Sequence, residues 1–165
     1  MRTVIHDLNA EGLAALGLPE EDTVIFHADG RYAPCRGCFQ CWLKNAGFCV
    51  MKDSLRHMGA LIGQSDPLVI VSRCCYGGYS SSVKAVLDRA IGTSLPFFTW
   101  RGGQTHHIGR YPQRRLLRVC FYGDCTALER QIAKELAERN RLNLGYEKAE
   151  VRFFQNPAQL GGHIV

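Results

Sequence analysis

"SDPLVIVSRCCYGGYSSSVKAVLDR", residues 65–89, is the stretch whose reading decides the fold. Its core, "PLVIVS" (67–72), is an unbroken apolar run, the pattern of a strand covered on both faces in a parallel sheet. The loop "RCCYGGY" interrupts it. Ser80, Ser81 and Ser82 then offer N-cap hydroxyls, and Val83, Val86, Leu87, Ala90 and Ile91 recur at the spacing of one helix face. A buried strand, a glycine-bearing loop and an amphipathic helix make one half of a strand–helix–strand unit.

The same alternation extends in both directions. "TVIH" (3–6) and "TVIFH" (23–27) are β-branched runs and predict two earlier strands, with a brief helix between them stopped by Gly17 and Pro19. Asp53 predicts an N-cap, followed by Leu55, Met58 and Ile62 at helical spacing. "LLRVCFYG" (116–123) predicts a further strand. Thr126 and Glu129 form a capping box, and Leu128, Ile132 and Leu136 a helical stripe. "EVRFF" (150–154) predicts an edge strand. Residues 92–115 read as a long irregular segment, of the kind that often carries function. Together these imply an α/β domain with a parallel sheet between helices, and ligands at the carboxyl ends of its strands. The loops after Ser72 and Tyr122 both open there.

Length and composition narrow the function classes. The chain has 165 residues, 46% apolar, enough for a single domain over residues 1–165 with one core. Its first residues lack a basic stretch followed by an apolar one, so no signal peptide is expected, and no run approaches the roughly 20 apolar residues of a membrane span. A cytoplasmic location follows as the expectation, with reduced thiols. The net charge of +5, with a basic group in "RYPQRRLLR" (110–118), suits an anionic cofactor or a solvated face. No aromatic–basic interleaving of the kind used by single-stranded nucleic acid is present. Neither membrane nor nucleic acid is an expected partner.

Half of the eight cysteines lie in "PCRGCFQCWLKNAGFC" (34–49), spaced C-x2-C-x2-C-x7-C. Closely spaced thiolates let one short loop reach several corners of a 4Fe–4S cluster. Cys35, Cys38, Cys41 and Cys49 are therefore candidate metal ligands. Structural thiols packed around Phe39 and Trp42, a zinc site and a reversible disulfide remain open for the same residues. Cys74 and Cys75 lie at the expected ligand edge as redox-active or simply reduced thiols. Cys120 belongs to a strand core. Cys125 precedes a helix N-terminus, which predicts a lowered thiol pKa. His106 and His107 read as exposed loop residues.

At "CRGCFQCW…GFCVMKD" followed by "SDPLVIVSRCCYGGYSSSVKAVLDR", the chain resembles the flavodoxin-like NADPH-dependent FMN reductases and their relatives the iron–sulfur flavoproteins. The Lys52-Asp53 pair, Ser65-Asp66, and Lys84 with Asp88-Arg89 belong to the same resemblance. It implies a three-layer flavodoxin-like domain with a parallel five-stranded sheet. It further implies an NAD(P)H-dependent, FMN-using oxidoreductase serving a small-molecule electron acceptor, working as a homodimer. Arg73, Cys74, Cys75, Tyr76, Gly77, Gly78, Tyr122 and Gly123 are the expected cofactor contacts, with no catalytic acid or base. Two alternatives accompany it: an electron-transfer protein of the iron–sulfur flavoprotein type, and a flavodoxin-like domain that has lost flavin and serves as a binding module. The chain departs from the family in its first loop. Where FMN-binding members carry hydroxyls and backbone donors for the phosphate, this chain reads "HDLNAEGLAAL", with Asp7 and Glu11 and no Ser or Thr.

Overall fold

In the computed structural model, which describes residues 1–19 and 21–164, the apolar run 67–72 lies in the middle of the sheet. Its strand β3 (Leu68–Arg73) is flanked by β1 (Arg2–His6) and β6 (Arg114–Tyr122). β2 (Thr23–His27) and β7 (Tyr146–Phe154) form the two edges. The order β2-β1-β3-β6-β7 is parallel throughout, the flavodoxin-like arrangement. Chain order reverses between β1 and β3, so the switch point lies at the carboxyl ends of those two strands.

Alternation along the central strands divides the core. Ile5, Leu68, Ile70, Val119 and Phe121 face α3 (Met58–Gln64), α4 (Ser81–Asp88) and α5 (Ala127–Leu144). Val4, Val69, Val71 and Cys120 face the other way. That second face is covered by the short α1 (Ala10–Ala14) and by the segment around the 3-10 turn Pro157–Leu160, through Leu8, Leu16, Leu160 and Ile164. The three layers are thus unequal. Ser80 caps α4 by accepting a hydrogen bond from the Val83 N–H, and the Thr126–Glu129 capping box opens α5.

Three expectations about these elements are corrected. Residues 92–115 are not irregular: β4 (Ser94–Arg101) and β5 (Gln104–Gly109) form an antiparallel hairpin turned by Gly102 and Gly103, both at positive φ. That two-residue turn is a hairpin signal in its own right. On α5, Leu128 is 66% exposed and Ile132 is also exposed, while Ala133 and Ala137 meet the sheet. Small residues let a helix approach closely, which a stripe of large side chains cannot do. Asp53 does not cap α3, which begins at Met58. It instead bonds the Leu55 N–H (3.1 Å) and pairs with Arg89.

The basic group 110–118 is also spoken for internally. The Arg110 Nε donates to the Gly92 carbonyl (3.0 Å), and Arg118 pairs with Glu150. Arg114 is buried: it donates to the carbonyls of Gly63 and Leu144, at the ends of α3 and α5, and lies over the Tyr146 ring. The positive charge there closes helix C-termini, where it complements their dipoles.

Candidate functional site

The carboxyl edge of the sheet gathers the expected cofactor contacts in one place. Arg73 and Tyr122 are register partners across β3 and β6, and the Cys74 N–H donates to the Tyr122 carbonyl (2.9 Å). Residues 75–78 form a tight turn, closed by hydrogen bonds in both directions between Cys75 and Gly78 (2.9 and 2.8 Å). Its tip is Tyr76 (φ 53°) and Gly77 (φ 78°), both left-handed, and it leaves the Tyr76 ring 91% exposed. Gly77 is obligatory there, since a Cβ would sit 2.8 Å from the Glu129 carbonyl oxygen and from the Ile132 Cβ. The tip therefore rests on α5, which gives the exposed Ile132 its contact. Behind it, Tyr79 stacks on Phe121 at 5.4 Å, and its hydroxyl accepts from Asn140.

Asp7 bridges the switch point. Its carboxylate accepts from the Arg73 N–H (3.1 and 3.3 Å) and lies 3.3 Å from the Ser72 hydroxyl. Burial, and then the Asp7 charge, raises the Tyr122 hydroxyl pKa. Burial, then the neighbouring His27, lowers His6 to about 4. The neutral His6 ring stacks on His27 at 5.0 Å and accepts the Leu8 N–H at Nδ1 (3.2 Å).

The residues at this edge fit the two parts of a flavin mononucleotide unequally. For the ring, Tyr76 offers an exposed aromatic face, while Tyr122 is half-buried against the cluster under α1. For the phosphate, the loop after β1 does not fit. The Leu8 N–H is taken by His6 and the Gly12 N–H by Asn9 Oδ1 (2.9 Å), no hydroxyl is present, and Asp7 presents a carboxylate. Arg73 is the exception: its side chain is exposed at the same edge, and among the described residues its guanidinium makes no ion pair.

Cys125 also belongs here, and its expected acidity is reversed. Its sulfur lies 3.1 Å from that of the buried Cys74. Burial, then the hydrogen bond with Cys74, pushes the Cys125 thiol up to about 12. The helix N-terminus is outweighed because its first donors serve the capping box, through Thr126 and Glu129. Cys120 is a core thiol as expected, pushed up to about 11 by burial.

The four clustered cysteines converge on a second place. Cys35, Cys38, Cys41 and Cys49 line one cavity of about 30 Å3, together with Phe39 and Arg89. Among the described residues, no three or more Cys, His, Asp or Glu side chains are arranged to hold a metal ion. The segment is seated from below. Arg89, its side chain fully buried, makes a bidentate pair with Asp53 (2.7 and 2.8 Å) and donates to the Ala33 carbonyl (2.7 Å). The Trp42 indole donates to the Ile91 carbonyl (3.2 Å) and stacks with Phe39. His107 packs between Trp42 and Phe98, and His106 is buried, so neither is the exposed loop residue expected of it.

No family model and no curated protein matches the chain. Solved structures do. Azoreductase AzrA superposes with a TM-score of 0.53 at 11% identity, covering 95% of this chain and 87% of that one. An azoreductase from Bacillus anthracis str. Sterne gives 0.54 at 11% identity, over 96% and 89% of the two chains. An FMN-dependent NADH-azoreductase from Bacillus anthracis str. Ames Ancestor, in complex with FMN, gives 0.53 at 13%, again over 96% and 89%. At such identities the likeness establishes the flavodoxin-like fold. Among the described residues, no helix is long and apolar enough to cross a membrane.

Proposed function

We propose that the protein is a flavin-dependent oxidoreductase that takes hydride from NAD(P)H and passes electrons to a small-molecule acceptor. The observation that carries this reading is the left-handed turn at Tyr76 and Gly77, which offers a 91% exposed aromatic ring at the carboxyl end of β3, beside the switch point. The fold shared with FMN-dependent azoreductases supports it. The flavin, when bound, supplies the two-electron chemistry itself. The chain's own part is to hold the ring at Tyr76 and Tyr122, with Arg73 as an exposed cation for a phosphate.

The test is anaerobic reduction. With flavin added, NADH or NADPH is expected to bleach the absorbance near 450 nm (a value about right for any oxidised flavin). Bleaching by dithionite but by neither nucleotide would overturn the reading. The proposal includes a homodimer, formed through the hairpin, where Phe97, Phe98 and Trp100 are 63%, 66% and 71% exposed. A monomer by sedimentation at micromolar concentration contradicts that part.

A second reading, electron transfer through a 4Fe–4S cluster, is favoured by one observation: all four clustered thiols line the same cavity. A polynuclear cluster needs each thiolate on a different iron, which spacing unsuited to one ion still permits. The cavity of about 30 Å3 is water-sized, so the exposed Cys35 and Cys38 would have to move outward to admit it. Iron and sulfide both absent from anaerobically purified protein would exclude this reading.

A further inference from the structure

We propose that Cys74 and Cys125 are a dithiol–disulfide exchange site, which oxidises to an intramolecular disulfide by reaction with a small-molecule disulfide. The inference does not rest on the flavin reading.

The two sulfurs are 3.1 Å apart although 51 residues separate them in the chain. A disulfide bond of about 2.05 Å therefore needs a movement of only about 1 Å. Both thiols are carried by anchored backbone. Cys74 follows the central strand β3 and is tied to the Tyr122 carbonyl (2.9 Å). Cys125 immediately precedes the capping box that opens α5, and its carbonyl accepts from the Arg130 Nε (3.3 Å). The Gly77 tip, seated against the Glu129 carbonyl and Ile132, fixes the first loop to the helix that carries the second. The pair was brought together by the fold, not by local spacing.

Access sets the order of the steps. Cys125 is half-buried and Cys74 is 9% exposed, so Cys125 meets the incoming reagent. Its raised pKa makes the Cys125 thiolate scarce near neutral pH, so the exchange is favoured in alkaline buffer; there the Cys125 sulfur, having given up its proton, attacks one sulfur of R–S–S–R. The S–S bond of the reagent breaks, and the departing R–S⁻ takes up a proton to leave as R–SH. Cys74 then attacks the Cys125 sulfur of the mixed disulfide, and a second R–SH leaves. The protein loses two electrons and two protons, and the small disulfide gains both. Cys75 is the obvious competitor, but its backbone is locked in the two-way bridge with Gly78, whereas the Cys74 sulfur already lies against that of Cys125.

Fully reduced, full-length protein treated with oxidised glutathione, then acid-quenched and alkylated, tests this. The expected result is six alkylated thiols in place of the eight in the sequence, a mass loss of about 2 Da before alkylation, and reversal by dithiothreitol. Tryptic mapping of Cys75→Ser/Cys120→Ala should then recover one crosslink, between the peptides that begin at Cys74 and at Val119. Cys125→Ser should abolish the mass loss. Eight alkylated thiols in the wild-type protein, or a crosslink joining any other pair, would overturn the proposal. The thiol count comes from wild-type protein, as does any crosslink to a peptide other than these two, so the test stands even if a variant fails to fold.

Discussion

Asp53→Ala is expected to lower the unfolding free energy by about 3–5 kcal/mol, the cost of leaving a buried charge without its partner. The Arg89 side chain is fully enclosed, and among the described residues Asp53 supplies the one carboxylate that bonds it. The loss should also release the cysteine segment, because Asp53 accepts the Ala33 N–H while Arg89 holds the Ala33 carbonyl. Denaturant unfolding measures the first effect directly. A loss under about 1 kcal/mol, the range of exposed pairs, would show that the pair is no more than a surface contact.

The same pair carries a pH dependence whose sign is fixed. The hydrogen bonds from Arg89 hold the Asp53 carboxyl below its ordinary value of 3.8. A depressed carboxyl contributes stability that is fully present above the unfolded-state pKa and lost as pH falls toward the folded one. Stability should therefore decline below about pH 4 in the wild-type protein, and the decline should be shallower in Asp53→Asn.

Gly92→Ala should also destabilise the protein, for steric reasons. A Cβ at Gly92 would lie 2.2 Å from the Gly47 carbonyl oxygen and 2.7 Å from its carbon, both backbone atoms that cannot rotate away. A Cβ at Gly59 meets the same carbonyl at 2.9 Å, so three glycines pack backbone to backbone under the segment that carries Cys49. Overpacking of this kind costs about 1–3 kcal/mol. The displaced loop should expose Cys41, half-buried and pushed up in pKa first by burial, to alkylation about tenfold faster, the equivalent of 1.4 kcal/mol of local opening. Unchanged alkylation and melting would mean that the loop is not seated on this glycine contact.

What could be read from the sequence was mostly local. The apolar run 67–72, the Ser80 cap and the Thr126–Glu129 box each carry their signal within a few residues, and each stands where it was expected. The hairpin at residues 94–109 had a local signal too, the Gly102-Gly103 turn between aromatic and β-branched runs, but glycines there also suit a loop. What stayed hidden depends on contacts far apart in the chain. Nothing around Asp53 announces Arg89, and nothing around Cys74 announces Cys125. The wrong face for α5 has a similar cause: Ala133 and Ala137 are weakly hydrophobic, yet close approach to the sheet selects them over Leu128 and Ile132.

In the proposed flavin site, the edge would receive the ring but hold the phosphate poorly. Each charge-assisted hydrogen bond to a phosphate is worth roughly 1.5–3 kcal/mol, so the loss of two would weaken FMN binding by about two to four powers of ten. Here the Leu8 and Gly12 N–H groups are engaged elsewhere and Asp7 adds repulsion. The measurement is a fluorescence titration of the protein with riboflavin and FMN side by side, repeated with Arg73→Ala. Both flavins should bind, with dissociation constants within about tenfold of each other, and Arg73→Ala should remove whatever preference for FMN remains. An FMN preference of about a thousandfold would contradict the account of the phosphate, and no binding of either flavin would contradict the flavin site itself.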